Sequence, residues 1–330
     1  MGKATVLVTG GAGYVGSHAA LALQEAGYPL VLLDNLTRGN HNLVRGVIDA
    51  PLIVGDIADR ALTARLFKEY PIETVLHFAA FAYVGESVED PGRYYRNNVA
   101  GTLALIESMA AAGVRHIVFS STCATYGMPE VLPITEELPL CPINPYGRSK
   151  RMVEQILEDF GAAHGLGYVA LRYFNAAGAD PEGRLGELHH PETHLIPLVL
   201  QTALGQCESV RIFGEDYDTP DGTCIRDYVH VSDLAAAHVA ALEYLRAGGA
   251  SGAFNLGMGH GYSVREVIET CEAVTARPVR VVAAPRRPGD PPRLTADCGK
   301  AKRVLGWTPQ FVELDTVVRH AWRFLAARQG

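Results

Sequence analysis

Tyr146 and Lys150 are the two side chains in this sequence whose types and spacing are best suited to chemistry. Residues four positions apart lie on the same face of a helix, so the phenol and the ammonium would be neighbours. A nearby ammonium stabilises phenolate, and so does the dipole at a helix N-terminus. We therefore expect the pKa of Tyr146 to fall from about 10 towards neutrality, which would let it take a proton from a hydroxyl. The alternative is a surface pair, because this spacing also arises by chance.

Three consecutive hydroxyl side chains, Ser120, Ser121 and Thr122, follow the apolar residues 117–119. In an open α/β sheet, ligands bind at the carboxyl ends of the strands. This segment is therefore predicted to place hydroxyl groups in a ligand site. The alternative, that the hydroxyls only terminate the strand, fits Ser120 better than it fits all three.

A glycine cluster separates a short apolar strand, predicted over residues 4–9, from a helix predicted over residues 14–26. Gly10, Gly13 and Gly16 have the spacing of a dinucleotide-binding turn. There, glycines let the backbone approach a pyrophosphate that sits on the helix N-terminus.

Two aspartates at strand ends are predicted to bind the adenosine part of a dinucleotide. Asp34 ends the next apolar run, where a carboxylate would bind the ribose hydroxyls and repel a 2′-phosphate, so NAD is favoured over NADP. The alternative for Asp34 is helix capping, and nearby Arg38 leaves NADP open. Asp56 could bind the adenine amino group, although capping of a helix from Asp59 also explains acidic residues here.

The elements that must position these residues alternate strand and helix over residues 4–174, which predicts an α/β fold with a doubly wound parallel (Rossmann) sheet. Residues 1–177 are expected to form the dinucleotide-binding domain, with a return to its sheet near residues 228–258. Residues 178–330 are expected to form a smaller α+β substrate lobe. His77 is predicted to be a packed core residue, and either Asn97 or Asn98 is expected to serve the cofactor or to tie elements together.

The composition excludes several classes of function. The 330 residues are 48% hydrophobic, enough for a large core, and the 29 basic against 36 acidic residues (net charge -7, pI near 5.9) argue against a nucleic-acid partner. Six scattered cysteines without a CxxC pair fit reduced thiols. With no signal peptide or membrane-spanning run in the sequence, we expect a cytoplasmic protein that does not bind membranes.

A group of acidic and histidine side chains occurs at residues 187–194, namely Glu187, His189, His190, Glu192 and His194. Pro191 interrupts any helix that would align them, and their spacing matches no standard zinc pattern. We interpret them as loop residues and expect no metal.

Several motifs together make the chain resemble the extended short-chain dehydrogenase/reductase family and, within it, the nucleotide-sugar 4-epimerases. They are the glycine loop, residues 120–122, Tyr146 with Lys150, and residues 84–87, 125–127, 144–147, 172–175, 221–223, 226–228 and 286–290. The resemblance covers nearly the whole chain. It implies NAD as cofactor, a UDP-sugar substrate and a homodimer.

The resemblance also implies roles for individual residues. The catalytic residues would be Tyr146, Lys150 and Thr122. The cofactor would contact Gly10, Gly13, Tyr14, Val15, Gly16, Asp34, Asn35, Asp56, Ile57, Phe78, Ala79, Ala80, Asn97, Lys150 and Phe174. The UDP-sugar would contact Thr122, Tyr146, Asn175, Leu195, Phe213, Arg226, Arg287 and Asp290, with the two arginines on its diphosphate.

The activity implied is interconversion of UDP-galactose and UDP-glucose through a transient 4-keto sugar and enzyme-bound NADH. Three residues depart from the family's pattern: Thr122 replaces a serine, Ala82 replaces a lysine, and Leu294 stands where the family varies in size. UDP-N-acetylglucosamine, or UDP-arabinose and UDP-xylose, therefore remain alternative substrates. A dehydratase is disfavoured, because Cys123 and Ala124 stand where that chemistry needs acidic residues.

Overall fold

The computed structural model describes residues 3–287 and 289–328. Its strands, in chain order, are β1 (Thr5–Thr9), β2 (Leu30–Asp34), β3 (Leu52–Val54), β4 (Ile72–His77), β5 (His116–Thr122), β6 (Gly167–Tyr173), β7 (Asn175–Ala177), β8 (Val210–Phe213), β9 (Ile225–Arg226), β10 (Tyr228–His230), β11 (Gly252–Leu256), β12 (Tyr262–Ser263), β13 (Val281–Ala284) and β14 (Arg293–Leu294).

The helices, in chain order, are α1 (Tyr14–Glu25), α2 (His41–Val44), α3 (Arg60–Glu69), α4 (Val84–Glu89), α5 (Pro91–Tyr94), α6 (Thr102–Ala112), α7 (Pro145–His164), α8 (Leu195–Ala203), α9 (Val231–Arg246), α10 (Val264–Thr275) and α11 (Leu314–Ala326). A π-helical segment, Tyr95–Gly101, joins α5 to α6, so the helix expected over residues 94–112 is not regular.

The main sheet has seven strands in the order β11-β6-β5-β4-β1-β2-β3, and every neighbouring pair is parallel. From β1 the chain first builds outwards through β2 and β3, then crosses back to β4 on the other side of β1. The predicted doubly wound parallel sheet is therefore confirmed, with its switch point between β1 and β4.

Hydrophobic side chains cover both faces of this sheet, which explains why its strands are nearly continuous apolar runs. Successive residues of β1 point to opposite faces: Val6 and Val8 join one core cluster and Leu7 joins the other. Helices α1 and α9 pack together, as do α3 and α6.

A later segment of the chain, β11, returns to the main sheet. β11 pairs in parallel with β6, with Phe254 opposite Leu171. The other strands form small sheets, β10-β7, β12-β9-β14 and β13-β8, which lie near α8, α10 and α11. These pairings support our proposal that residues 178–330 form a substrate lobe apart from the returning segment near 228–258. One core cluster nevertheless runs from Val6 to Val317, so it crosses the proposed boundary.

Candidate active site

A cleft of about 1690 Å³ opens at the carboxyl ends of β1, β4 and β5. It is lined by every predicted site residue except Asp56: Gly10, Gly13, Tyr14, Val15, Gly16, Asp34, Asn35, Ile57, Phe78, Ala79, Ala80, Asn97, Thr122, Tyr146, Lys150, Phe174, Asn175, Leu195, Phe213, Arg226, Arg287 and Asp290. Residues from distant parts of the sequence thus meet in one cavity of a size suited to a dinucleotide and a second nucleotide.

The glycine loop packs too closely for side chains. A Cβ on Gly10 would lie 2.6 Å from the Ala79 nitrogen, and one on Gly16 would lie 2.2 Å from the Gly10 oxygen. Helix α1 begins after Gly13 without a side-chain cap, so its first N–H groups face the cleft without side-chain partners. A bare helix N-terminus behind a glycine turn fits a pyrophosphate, so the residues present fit a dinucleotide.

Asp34 ends β2 beside this loop. One carboxylate oxygen accepts from the Ala12 N–H (3.0 Å) and the other from the Leu36 N–H (2.8 Å), so each keeps a lone pair for a ribose hydroxyl. Burial raises the pKa of Asp34. Arg38 is already engaged: it donates to Glu86 (2.8 Å) and to the His190 carbonyl (2.9 Å). Its guanidinium is therefore not free for the 2′-phosphate of NADP.

Asp56 does not line the cleft, although Gly55 and Ile57 on either side of it do. Its carboxylate accepts from the Asn35 amide (2.9 Å) and from the Ala58 N–H (2.9 Å). The helix α3 is capped instead by Asp59, which accepts from two N–H groups of the first turn. The predicted adenine contact of Asp56 therefore stays a prediction, and the geometry assigns Asp56 a bond to Asn35.

Tyr146 and Lys150 lie in the first turns of α7. The helix begins at Pro145, and its N-cap Asn144 accepts from the Gly147 N–H at 2.8 Å. A Cβ on Gly147 would lie 2.5 Å from the Ala124 oxygen, so this glycine lets the helix start pack against the segment that follows Thr122. The close approach places the phenol, the threonine hydroxyl and the lysine in the same part of the cleft.

The predicted fall in the pKa of Tyr146 is not found in the structure. Burial raises the pKa of Tyr146 well above its usual range, and Tyr173 acts in the same direction while Thr122 lowers it. Lys150 is not among the groups that lower the pKa of Tyr146, and its Nζ donates to the Ser120 carbonyl at 2.8 Å. Burial lowers the pKa of Lys150 to about 7, so its ammonium is itself destabilised.

A buried polar network between α7 and the sheet supports this site, and the sequence did not predict it. Glu154, one turn beyond Lys150, accepts from Ser121 (2.6 Å) and from two nitrogens of Arg172 (2.9 and 2.7 Å). Arg172 also donates to the Tyr126 hydroxyl at 2.9 Å, which donates to Asn255 at 2.7 Å. The network links α7, β5, β6 and β11. The only signal in the sequence was polar residues amid apolar ones.

Asn98 ties elements together, one of the two roles expected for the asparagine pair. Its side chain bonds both backbone groups of Phe81 (2.8 and 2.9 Å) and Ser149 (3.1 Å), whose hydroxyl donates to the Tyr146 carbonyl. His77 is a buried core residue, as predicted: it bonds Thr9 and Thr102, and burial lowers its pKa to about 3.

The far end of the cleft carries the predicted diphosphate contacts. The Arg287 guanidinium lies 3.9 Å over the Phe213 ring, and Arg226 donates to Asp290 at 2.7 Å. Buried Asp227 accepts from the backbone of Met258, Gly259 and Ala296, and so holds the strand that carries Arg226. Two cations thus face a cavity in an acidic protein, which suits an anionic ligand.

The acidic and histidine residues at 187–194 lie in a loop, as predicted, but the loop brings four of them together. One ligand atom from each of four residues lies within 4.8 Å of the others: Glu187, His189, Glu192 and His194.

Among the described residues, no helix is long and apolar enough to cross a membrane.

The doubly wound sheet, the glycine loop at its switch point and the Thr122, Tyr146 and Lys150 group define a dinucleotide-binding enzyme of the short-chain dehydrogenase/reductase type. The sequence also matches the NAD dependent epimerase/dehydratase family over residues 6–257. The chain belongs to this family, and the resemblance inferred from the sequence is confirmed.

Similar proteins cover nearly the whole chain. UDP-glucose 4-epimerase of Halalkalibacterium halodurans is 54% identical over 319 residues, 97% of this chain and 95% of that protein. The crystal structure of UDP-glucose 4-epimerase from Brucella ovis in complex with NAD has a TM-score of 0.94 and 50% identity, over 97% of both chains. The enzyme from Bifidobacterium longum, in complex with NAD+ and UDP, has a TM-score of 0.93 and 41% identity, over 98% of both chains.

Proposed function

We propose that this chain interconverts UDP-galactose and UDP-glucose by inverting carbon 4 of the hexose, with NAD as its cofactor. The observation that carries the proposal is the meeting of Thr122, Tyr146 and Lys150 in the cleft that begins at the glycine loop. The named relatives match nearly the full chain and are described as UDP-glucose 4-epimerases. The chain is thus an isomerase.

The cofactor would lie along the glycine loop, with its pyrophosphate on the start of α1 and its adenosine ribose on Asp34. When bound, NAD supplies a reversible hydride acceptor for carbon 4 and a positive charge on its nicotinamide ring. Phe78, Ala79 and Ala80 follow β4, and Asn97 and Phe174 complete the lining. The engaged Arg38 supports NAD over NADP.

Tyr146 would take the proton from the 4-hydroxyl and return it after the sugar has turned over. Burial raises the pKa of Tyr146, so the surrounding protein does not by itself favour the phenolate. Positive charge brought beside the phenol would therefore be required to ionise it. Thr122 would hold the same oxygen by a hydrogen bond, and Lys150 would bind the nicotinamide ribose.

The UDP part would lie at the opposite end, with Arg226 and Arg287 on the diphosphate. Arg226 pairs with Asp290, so a diphosphate would join this ion pair. Phe213 lies under Arg287 and keeps its guanidinium plane in the cavity. Asn175 and Leu195, at the starts of β7 and α8, would contact the nucleotide sugar.

The experiment is to incubate the purified chain, without added NAD, with UDP-galactose and to identify the product by chromatography against standards. Formation of UDP-glucose supports the proposal, and Tyr146→Phe is the inactive control. A deoxy-keto sugar as product would instead indicate a dehydratase. Burial raises the pKa of the Cys123 thiol to about 12, so this residue is a poor acid for expelling water.

Parallel incubations with UDP-N-acetylgalactosamine and UDP-arabinose test the width of the sugar site. Leu294 lines the cleft and is intermediate in size between a tyrosine and a glycine or serine. We expect UDP-hexoses without the acetyl group to react fastest. Faster turnover of the acetylated sugar would contradict the glucose and galactose assignment.

We also propose that the chain forms a homodimer and works in the cytoplasm. The exposed apolar side chain of Met152 on α7, which does not line the cleft, supports a self-associating face. All six cysteines are free, which supports a reducing compartment. Light scattering after size exclusion distinguishes a dimer from a monomer.

A further inference from the structure

The loop between β7 and α8 carries a cluster whose chemistry the epimerase mechanism does not use. This Glu/His cluster consists of Glu187, His189, Glu192 and His194. It stands at the edge of the cleft, with the His189 ring edge-on to Tyr14 (6.2 Å) and Tyr83 (5.9 Å). Two imidazoles and two carboxylates thus converge on one point from a single loop.

Three of the four converging atoms are buried and lack hydrogen-bond partners, whereas His194 is 46% exposed and its Nδ1 shares a hydrogen bond with Glu192 Oε1. Glu187 is 7% exposed, and its Oε1, the His189 Nδ1 and the Glu192 Oε2 have no hydrogen-bond partner. Nevertheless, Glu187 Oε1 is 3.0 Å from His189 Nδ1 and 2.6 Å from His194 Nδ1. These atoms are close to one another without the direction that an N–H donor requires. Lone pairs arranged in this way point to a shared cation.

The spacing of the atoms fits four ligands of one metal ion. Zinc bonds of about 2.0–2.2 Å in a tetrahedral arrangement place neighbouring ligand atoms about 3.3–3.5 Å apart. His189 Nδ1 lies 3.8 Å from Glu192 Oε2, and His194 Nδ1 lies 3.1 Å from the other oxygen of Glu192, Oε1. These distances lie on both sides of the expected value, and one ligand atom from each of the four residues lies within 4.8 Å of the others.

The charge of the cluster also favours a cation. Among residues 3–287 and 289–328, neither Glu187 nor Glu192 forms a salt bridge with a lysine or an arginine, and the only basic side chains beside them are the imidazoles of His189 and His194. A divalent ion held by the four side chains would balance the charge of the two carboxylates. Two backbone N–H groups also orient the carboxylate of Glu192. Its Oε1 accepts from the Thr193 N–H (2.7 Å) and the His194 N–H (2.8 Å), which leaves Oε2 directed into the cluster.

We propose that Glu187, His189, Glu192 and His194 bind one divalent transition-metal ion, for which Zn²⁺ is the best match in ligand type and geometry. Four protein ligands leave no open position in a tetrahedral site, so the metal is structural. It holds the loop against Tyr14 and Tyr83 and fixes the residue before Leu195, where α8 begins. This proposal replaces the expectation of no metal drawn from the sequence.

The first test is metal content. The chain is expressed in medium supplemented with zinc chloride, its affinity tag is removed, and it is dialysed against metal-free buffer before elemental analysis by mass spectrometry. We expect about one zinc per chain in the wild type and less than about one tenth of that in His189→Gln and Glu187→Gln. The matched control is His190→Gln, since His190 is exposed, lies in the same loop and is outside the cluster.

Two further measurements keep the test decisive if a variant folds poorly. Cobalt chloride added to chelator-treated wild type is expected to give the intense visible absorption of tetrahedral Co²⁺, and a chelator is expected to lower the Tm of wild type and His190→Gln, reversibly with zinc. A wild type that retains no zinc and shows no cobalt absorption overturns the proposal. So does equal zinc in His189→Gln and His190→Gln. Neither readout depends on epimerase activity.

Discussion

Replacement of Glu154 by glutamine tests whether the buried network supports the catalytic face of α7. The carboxylate accepts hydrogen bonds from Ser121 and from two nitrogens of Arg172, and a longer one from Arg151 at 3.4 Å. The side chains of Glu154 and Arg172 are 2% and 6% exposed. Glutamine has nearly the same shape, but its NH₂ group would face the guanidinium donors. Arg172 would then be a buried cation without a counterion.

The expected loss follows from that burial. Removing one partner of a buried ion pair typically costs about 3–5 kcal/mol, because the remaining charge stays desolvated. For a chain of this size, about 2 °C of Tm corresponds to each kcal/mol, so we expect Tm to fall by about 6–10 °C. The matched control is Glu158→Gln on the same helix, whose carboxylate pairs with Arg151 and is 49% exposed. Exposed pairs contribute about 1 kcal/mol or less.

Differential scanning calorimetry of both variants and the wild type checks this prediction. The double variant Glu154→Met/Arg172→Met should recover part of the loss, because it removes the unpaired charge together with its partner. If Glu154→Gln melts no earlier than Glu158→Gln, the buried pair does not stabilise the chain and the reasoning fails.

Three other predictions concern the cleft and its supports. Tyr146→Phe should lower kcat with UDP-galactose by about 10²–10⁴-fold, with little change in Tm, and a rate near wild type in the product assay would remove Tyr146 from the chemistry. Gly10→Ala should abolish co-purified NAD, since its Cβ would lie 2.6 Å from the Ala79 nitrogen. Gly27→Ala has the same positive φ but no atom within 4 Å and should retain NAD, so equal nucleotide in both would exclude the clash. The pKa of His77 is lowered from 6.5 to about 3. As the pH falls, His77 is therefore protonated in the unfolded chain before it is protonated in the folded chain, which destabilises the fold. Between pH 7 and 5 the wild type should lose about 2 kcal/mol relative to His77→Gln in urea unfolding, and a difference that does not vary with pH would contradict the burial argument.

The sequence was sufficient for features that local pattern determines. The spacing of Gly10, Gly13 and Gly16 between a strand and a helix predicted the turn, because only that geometry requires three small residues there. Apolar runs alternating with helices predicted the parallel sheet. Tyr146 and Lys150 were found because both lie within the first turns of one helix.

Features that depend on the path of the chain could not be predicted in this way. Arg172 pairs with Glu154 only because β6 lies beside β5 under α7. The Glu/His cluster depends on how a loop folds, and no helical or strand period encodes that. The pKa of Tyr146 depends on how much protein surrounds the phenol, and this burial outweighs the charge of its neighbour in sequence.

The late return of β11 to the edge of β6 has a consequence for synthesis of the chain. Until Leu256 has left the ribosome, the hydrogen-bonding groups along one side of β6 have no strand to pair with. The α9 helix that covers α1 comes shortly before β11 in the chain, so it too is missing while synthesis has not passed Ala177. A nascent chain that ends shortly after Ala177 therefore exposes an open sheet edge and an apolar helix face, both of which favour association with other chains. We therefore expect that a fragment ending at this point does not fold as an independent nucleotide-binding domain.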